Sequence, residues 1–115
     1  MILATLLALC PVERVADGDT FTCGGERIRI EGIDAPEING RCPSERALAI
    51  RARQRLSELL RGQVTLSGNR RDRYGRALRR VVVNGVDVGE ALIEEGYARV
   101  WRGRREPWCG AEVGG

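Results

Sequence analysis

The sequence predicts an α+β domain that is mainly β: a five-stranded OB-type barrel with one long helix between strands 3 and 4 and a short helix after strand 5. Two observations lead to this prediction. Short β-prone runs alternate with turn signals along the chain, and a long helical pattern falls between the third and fourth runs. The length of 115 residues, without an internal repeat or a linker, favours a single domain, which we place at residues 10–115.

The first three strands are predicted to form a meander. They are expected at residues 12–15, 20–23 and 27–33. Turn signals that contain glycine separate the three runs. The third run alternates apolar and charged residues with period two, so Ile28 and Ile30 are expected to face the core.

A helix is predicted over residues 44–61, with Ser44 as its N-cap and Gly62 as its left-handed stop. Its apolar stripe consists of Leu48, Ala52, Leu56, Leu59 and Leu60. The remaining predicted elements are strands at residues 64–66 and 78–83, a short helix at about 88–95 and an extended segment at 97–101. An arginine-rich loop is expected between the last two strands of the barrel.

All 19 basic residues are arginine, and the chain has neither lysine nor histidine. This composition excludes histidine general bases, Ser-His-Asp triads and the lysine of a Walker motif. The charges are also unevenly distributed: residues 13–37 hold seven acids and three arginines, whereas residues 61–80 hold seven arginines and one acid. This distribution favours a metal site beside a polyanion-binding surface, although solvated surface charges explain the same pattern.

Three short blocks carry the candidate chemistry. They are Asp17-Gly-Asp19-Thr, Arg29-x4-Asp34-Ala35-Pro36-Glu37 and Asp72-Arg73-Tyr74-Gly-Arg76. Carboxylates at a glycine turn suit a hard cation that prefers oxygen ligands. An arginine just past a glycine turn can bind a phosphate through two hydrogen bonds. Taken alone, each block is equally explained as a turn, a strand-end ion pair or a solvated basic loop.

Together and in this order, the three blocks resemble the staphylococcal nuclease (thermonuclease) family, over about residues 12–101. The resemblance implies a five-stranded OB-type barrel and calcium-dependent hydrolysis of DNA and RNA phosphodiesters that leaves 3′-phosphate ends. It implies Asp19, Asp34 and the backbone carbonyl of Ala35 as ligands of Ca²⁺. Ala35 stands where the best-known member has threonine, a change that a main-chain ligand tolerates.

The same resemblance gives three residues catalytic roles. Glu37 would position or deprotonate the attacking water, while Arg29 and Arg76 would clamp the scissile phosphate. Asp17 would be an outer-shell partner of the ion, and Trp101 is expected to pack in the core or a lid. The substrate-binding candidates are Tyr74, Arg73 and Trp108. The chemistry agrees, because attack on a phosphodiester builds negative charge that guanidiniums and a divalent cation offset.

The four cysteines match no CxxC zinc spacing, so we expect disulfides and a secreted or periplasmic protein. Three pairings are open. We favour Cys42–Cys109, which would tie the loop after Glu37 to the tail, together with Cys10–Cys23. Residues 1–9 are interpreted as an export-signal remnant or an apolar N-terminal segment, too short to span a bilayer.

A non-catalytic OB-fold module that binds nucleic acid is the alternative interpretation. A third is a structural domain of the kind found as degenerate repeats in scaffold proteins. The acidic residues separate these alternatives from an enzyme, because carboxylates repel phosphate unless a metal ion lies between them. We expect DNA and RNA as substrates, no stable protein partner, no membrane span and a monomer.

Overall fold

The computed structural model describes residues 10–109, so the predicted segment at residues 1–9 lies outside the described residues. Its strands are β1 (Val12–Asp17), β2 (Thr20–Cys23), β3 (Glu26–Ile30), β4 (Ile33–Asp34), β5 (Val64–Arg71), β6 (Ala77–Val83), β7 (Val86–Asp87) and β8 (Arg99–Val100). Its helices are α1 (Pro43–Leu59) and α2 (Val88–Glu94). No helix within residues 10–109 has the length and hydropathy that crossing a bilayer requires.

Most strands belong to one sheet, in the order β1-β2-β3-β6-β5, with β7 paired to β6. The first three strands form the predicted antiparallel meander, and β3 pairs with β6 in parallel. A second small ladder joins β4 to β8. The mainly-β class and the positions of both helices are therefore confirmed. The strand order of the described residues is an open path, so closure into a five-stranded barrel stays a prediction.

The helix α1 begins earlier than predicted. Cys42 is its N-cap and Pro43 follows in the first turn, so the expectation that Ser44 caps the helix is wrong. Proline suits this position because its fixed φ is helical and its missing N–H would have no helical partner. The helix ends at Leu59 rather than at residue 61, and Gly62 follows with a φ of +122°.

The strand β5 is longer than predicted. It runs to Arg71 instead of ending at residue 66, so part of the expected arginine-rich loop is strand. Gly68 has a φ of +116° where the register with β6 shifts between Ser67 and Arg70, which indicates a bulge. The part of β5 beyond the bulge is exposed, and the apolar alternation that marks a strand is therefore missing from it.

The core lies between the large sheet and the two helices. Phe21 and the predicted inward pair Ile28 and Ile30 are buried, as is Leu56 of α1. The predicted stripe of α1 is confirmed only in part, because Leu48 and Leu59 are half-buried. Ala52, Leu56 and Leu60 of the stripe are buried as predicted, and Glu45 and Ala49 are buried in addition. A carboxylate on this buried face was not expected.

Two disulfides close the fold, and their pairing is the one that the sequence favoured. Cys10–Cys23 joins the start of β1 to the end of β2, with a Cα–Cα distance of 5.5 Å. Cys42–Cys109 joins the N-cap of α1 to the segment after β8, with a Cα–Cα distance of 6.1 Å. The second bridge tethers the C-terminal segment beside the loop between β4 and α1.

Candidate active site

The three blocks meet at one cavity of about 880 Å³. The residues that line it include Asp19, Arg29, Ala35, Glu37, Tyr74 and Arg76. Strand pairing brings the blocks together. Arg29 of β3 lies opposite Thr20 at the start of β2, which joins the first two blocks. The strand β3 also pairs with β6, which begins directly after the third block. The structure therefore places side chains of all three blocks around one cavity, while the roles of the residues stay predictions.

The turn between β1 and β2 packs tightly against the wall of this cavity. A Cβ atom placed on Gly18 would lie 2.8 Å from the Cβ atom of Ala52 and 3.0 Å from that of Ala35. These distances are too short for a side chain, so glycine is required here by close approach. The small side chains of α1 and of the second block thus let the acidic turn approach the segment that carries Asp34.

The buried carboxylate of Asp19 links the first two blocks. Its Oδ2 atom accepts a hydrogen bond from the backbone N–H of Ala35 at 3.0 Å, and its Oδ1 atom accepts one from the hydroxyl of Thr20 at 3.0 Å. The side chain of Asp17 accepts a hydrogen bond from the N–H of Asp19 at 3.2 Å. Burial, helped by the neighbouring Asp19, raises the pKa of Asp17 to about 7. Its burial and the proximity of Asp19 therefore disfavour the charged form of Asp17.

The second carboxylate, Asp34, is 3% exposed at the end of β4. Burial raises its pKa, against the opposing effect of the Arg105 guanidinium, and the nearby Asp19 raises it further. Arg105 donates to the Oδ1 atom of Asp34 at 2.6 Å and to the carbonyl oxygen of Ala35 at 3.2 Å. A cationic side chain thus contacts two of the oxygen atoms that the resemblance assigns to the metal.

The guanidinium of Arg29 is held rigidly. Its side chain is 11% exposed, its NH1 group donates to the carbonyl of Ile30 at 2.8 Å, and its NH2 group lies 3.5 Å from the Oδ2 atom of Asp19. Because a guanidinium group is planar and always charged, one that is fixed in this way can bind an anion in a single orientation.

The guanidinium of Arg76 is fixed by the turn that contains it. Its Nε–H donates to the Oδ2 atom of Asp72 at 2.7 Å. The Oδ1 atom of Asp72 accepts from the backbone N–H groups of Tyr74 and Arg76, both at 2.9 Å. Burial opposes ionisation of Asp72, but these hydrogen bonds outweigh it and hold its pKa below the usual value. Asp72 therefore builds the loop and orients Arg76.

Glu37 differs from the other acidic groups because its side chain is 56% exposed. Its charged neighbour is Arg105, whose NH2 group lies 3.4 Å from the Oε2 atom of Glu37. Its backbone is better held: the N–H of Glu37 donates to the Oε2 atom of Glu45 at 3.0 Å. Glu37 thus combines a fixed main chain with a carboxylate that reaches the solvent side of the cavity.

The aromatic candidates are placed unequally. Tyr74 is 64% exposed at the cavity, with the guanidinium carbons of Arg73 and Arg76 at 5.3 and 5.5 Å from its ring centre. Trp101, which was expected to pack internally, is 40% exposed and lines the same cavity. Trp108 lies on a smaller neighbouring cavity of about 350 Å³, and the guanidinium of Arg99 covers its ring at 3.6 Å.

The residues present fit a hard divalent cation. The donors are carboxylate and carbonyl oxygens, which calcium prefers. Burial is the main cause of the raised pKa values of Asp17 and Asp34, the neighbouring Asp19 adds to it, and a bound cation would favour the charged form of both groups. A separate cluster of Cys42, Glu45 and Cys109 does not suit a metal, because both sulfur atoms are used in the disulfide.

Sequence reasoning missed two residues of this region, Glu45 and Arg105. Glu45 stands three residues after the true N-cap, Cys42, where an acid often binds backbone N–H groups. Recognising Pro43 as the first helical residue would have shown this. Arg105 lies in none of the three blocks, and it reaches Asp34 across 71 residues of sequence. No local pattern encodes a contact of that range.

Comparisons with known proteins give consistent matches. The family model described as "Staphylococcal nuclease homologue" matches residues 27–111. The chain is 38% identical to SPbeta prophage-derived endonuclease YokF of Bacillus subtilis (strain 168), over 77% of this chain and 33% of that protein. It is 35% identical to Endonuclease YncB of the same strain, over 77% of this chain and 46% of that protein. It is 31% identical to Succinoglycan biosynthesis protein ExoI of Rhizobium meliloti (strain 1021), over 87% of this chain and 68% of that protein. The chain thus spans less than half the length of both Bacillus relatives.

Proposed function

The chain belongs to the staphylococcal nuclease homologue family, and on that premise we propose that it is a calcium-dependent nuclease that hydrolyses DNA and RNA to 3′-phosphate products. The observation that carries the proposal is the cavity itself. Two anchored guanidiniums, those of Arg29 and Arg76, face the same space as Asp19 and Glu37. Two relatives are named as endonucleases, which supports the same reaction class.

The two arginines would bind the scissile phosphate. Hydrolysis passes through a phosphorus centre with increased negative charge, and donors already fixed in place stabilise that charge without reorganisation. Arg29 and Arg76 meet this requirement because Asp19 and Asp72 hold their guanidiniums before substrate arrives. Their remaining N–H groups can donate to the non-bridging oxygens.

The carboxylates would divide into two roles. Asp19, Asp34 and the carbonyl of Ala35 would hold the cation, which supplies positive charge near the phosphate and lowers the pKa of water. Glu37, whose carboxylate is accessible, would accept the proton of the attacking water. The water oxygen bonds to phosphorus and the bond from phosphorus to the 5′-oxygen breaks. The leaving 5′-oxygen takes a proton from solvent water, and the phosphate stays on the 3′ side.

Substrate strands would lie along the exposed aromatic side of the cavity. Tyr74 and Trp101 are both partly exposed there, and bases can stack on such rings without sequence preference. The structure favours Trp101 over Trp108 for this role, because Arg99 already covers the ring of Trp108. The two disulfides support a secreted or periplasmic location, since such bridges persist in oxidising compartments.

The rival function is a binding module without catalysis. A binder would need the basic and aromatic groups but would gain nothing from Asp19 and Asp34, which repel phosphate. The name of the Rhizobium relative refers to polysaccharide synthesis, and nothing in this cavity favours that chemistry over phosphodiester hydrolysis.

A cleavage assay tests the proposal. Oxidised protein is incubated with plasmid DNA, single-stranded DNA and RNA, with calcium and then with excess chelator. We expect cleavage only with calcium, and products whose 5′-hydroxyl ends accept labelled phosphate from a kinase without prior dephosphorylation. Binding of single strands without any cleavage would establish the rival function instead.

A further inference from the structure

We propose that Glu45, a buried carboxylate in the first turn of α1, is a positioning residue that fixes the backbone of Glu37 and so aims the general base. The proposal rests on the proposed function, since it takes from there the role of Glu37. It assigns a task to a charged group that the fold alone leaves unexplained, because Glu45 lies on the buried face of the helix and is 6% exposed.

The carboxylate of Glu45 binds both ends of one short loop. Its Oε2 atom accepts a hydrogen bond from the backbone N–H of Glu37 at 3.0 Å. Its Oε1 atom accepts one from the backbone N–H of Arg41 at 3.2 Å. Between these points the N–H of Gly40 donates to the carbonyl of Glu37 at 2.9 Å, which closes a turn. The loop is therefore folded around a single side chain.

The loop also touches this side chain directly. A Cβ atom on Gly40 would lie 2.5 Å from the Cγ and Cδ atoms of Glu45 and 2.7 Å from its Oε1 atom. The neighbouring Arg46 donates to the carbonyl of Gly40 at 2.9 Å and holds the loop from the other side. Glycine at residue 40 thus permits a contact that any larger residue would disrupt.

The geometry requires an acid at residue 45. Each of its oxygen atoms accepts from a different backbone N–H, and a glutamine would present an NH₂ group to one of these donors. The N-terminal turn of a helix favours negative charge, and Arg105 lies 3.8 Å from the Oε2 atom. These surroundings offset the cost of burying the charge.

Glu37 needs such support because its own side chain is 56% exposed and its ion-pair partner, Arg105, has a side chain that is 41% exposed. A general base must lie within hydrogen-bond reach of its proton, and a misplacement of about 1 Å can cost about 10²-fold in rate. Holding the backbone at the N–H of Glu37 limits the positions that its carboxylate can reach.

The test compares Glu45→Gln with Glu58→Gln on the same helix, a control whose side chain is 53% exposed and pairs with Arg55. We expect Glu45→Gln to lower kcat by about tenfold to a hundredfold with KM nearly unchanged, and the control to change neither. Amide hydrogen exchange at Glu37 and Arg41 should become faster in Glu45→Gln alone.

A double variant separates positioning from general weakening of the fold. In a Glu37→Gln background, Glu45→Gln should cause little further loss of kcat, because the base that it positions is already gone. If Glu45→Gln does not fold, Gly40→Ala disturbs the same contact without altering the carboxylate, and the same pattern is expected.

Three outcomes would overturn the proposal. Losses that multiply in the double variant, or faster exchange at Glu37 with unchanged kcat, would show that Glu45 supports the loop without positioning the base. Both leave the nuclease function standing. Absence of calcium-dependent cleavage in the unaltered protein would overturn the proposed function itself, and the positioning role with it.

Discussion

The arginines that line the cavity and the exposed arginines on the strands carry the same guanidinium group but are held in different ways. The side chains of Arg29 and Arg76 are 11% and 22% exposed, and each is anchored by a carboxylate that is itself largely buried. The side chains of Arg71 and Arg80, which do not line the cavity, are 51% and 64% exposed, although each also has an acidic partner. An acidic partner alone therefore does not separate the two arginines proposed to bind phosphate from the other arginines. The two groups differ in the burial and the orientation of the guanidinium.

The difference follows from the surroundings of each pair. An exposed ion pair is screened by water and salt and holds its side chains weakly. A half-buried pair with several hydrogen bonds keeps one orientation, and catalysis depends on groups that are oriented before the reaction. In a chain whose every basic residue is arginine, this contrast supports the proposal that Arg29 and Arg76, rather than the exposed arginines, bind the phosphate.

The largest effect on the cleavage rate is expected from replacing the two anchored arginines of the cavity. Arg29→Ala and Arg76→Ala should each lower the rate of cleavage by about 10²–10³-fold, as removal of one fixed donor does in other enzymes. The matched control is Arg80→Ala, which removes an exposed guanidinium paired with Asp87 and should leave the rate nearly unchanged. Single-turnover rates on single-stranded DNA measure both. Equal losses of cleavage rate in Arg29→Ala and Arg80→Ala would show that a buried, oriented guanidinium has no special part in cleavage.

The two disulfides also differ in how close they lie to the cavity. Cys42–Cys109 spans 67 residues of sequence and holds the segment that carries Trp101 and Arg105, whereas Cys10–Cys23 spans 13 and lies away from the cavity. Replacing either pair by serine should cost about 2–4 kcal/mol of stability, with the longer bridge costing about 1.5 kcal/mol more.

Their effects on activity should differ more clearly. Removing Cys42–Cys109 should raise KM for DNA, because the tethered wall of the cavity is released, while removing Cys10–Cys23 should leave KM unchanged. Denaturant unfolding and steady-state kinetics at a temperature where both variants are folded measure these quantities. An unchanged KM in the Cys42–Cys109 variant would show that the tether has no part in binding.

The smallest effect is expected at an outer pair. The hydrogen bond from Arg71 holds the pKa of Glu26 below its usual value of 4.5. A lowered pKa in the folded state means that the pair contributes stability above pH 4.5 and loses it as the pH falls further. Glu26→Gln should therefore destabilise the protein slightly at pH 7 and less at pH 3, with cleavage unaffected. A larger loss at pH 3 would reverse this sign and contradict the assignment.

Local patterns were enough to predict most of the fold. Period-two alternation placed the meander, and turn signals placed the two hairpins, because both depend on neighbours in sequence. The prediction failed where those signals are missing. The outer half of β5 has no apolar face, so its strand character comes from pairing with β6 rather than from its own residues.

The candidate site could be predicted as far as its residues lie in short blocks at strand ends. Asp19, Arg29 and Arg76 became candidates because the order of the blocks resembles a known nuclease family, and strand pairing brings them to one cavity. Arg105 and Glu45 could not be identified as easily, since their contacts depend on the tether at Cys109 and on the start of α1 at Pro43. The tether is set by tertiary structure, whereas the helix start could have been recognised from Pro43.

The most direct test of the central claim is the calcium dependence of single-turnover cleavage, in the unaltered protein and in Asp19→Asn and Asp34→Asn. The account predicts no cleavage in chelator, saturation with rising calcium, and a higher calcium midpoint in both variants, because each loses a charged oxygen ligand. Cleavage that persists in chelator, or a midpoint that neither variant changes, would contradict a metal-dependent centre at these carboxylates.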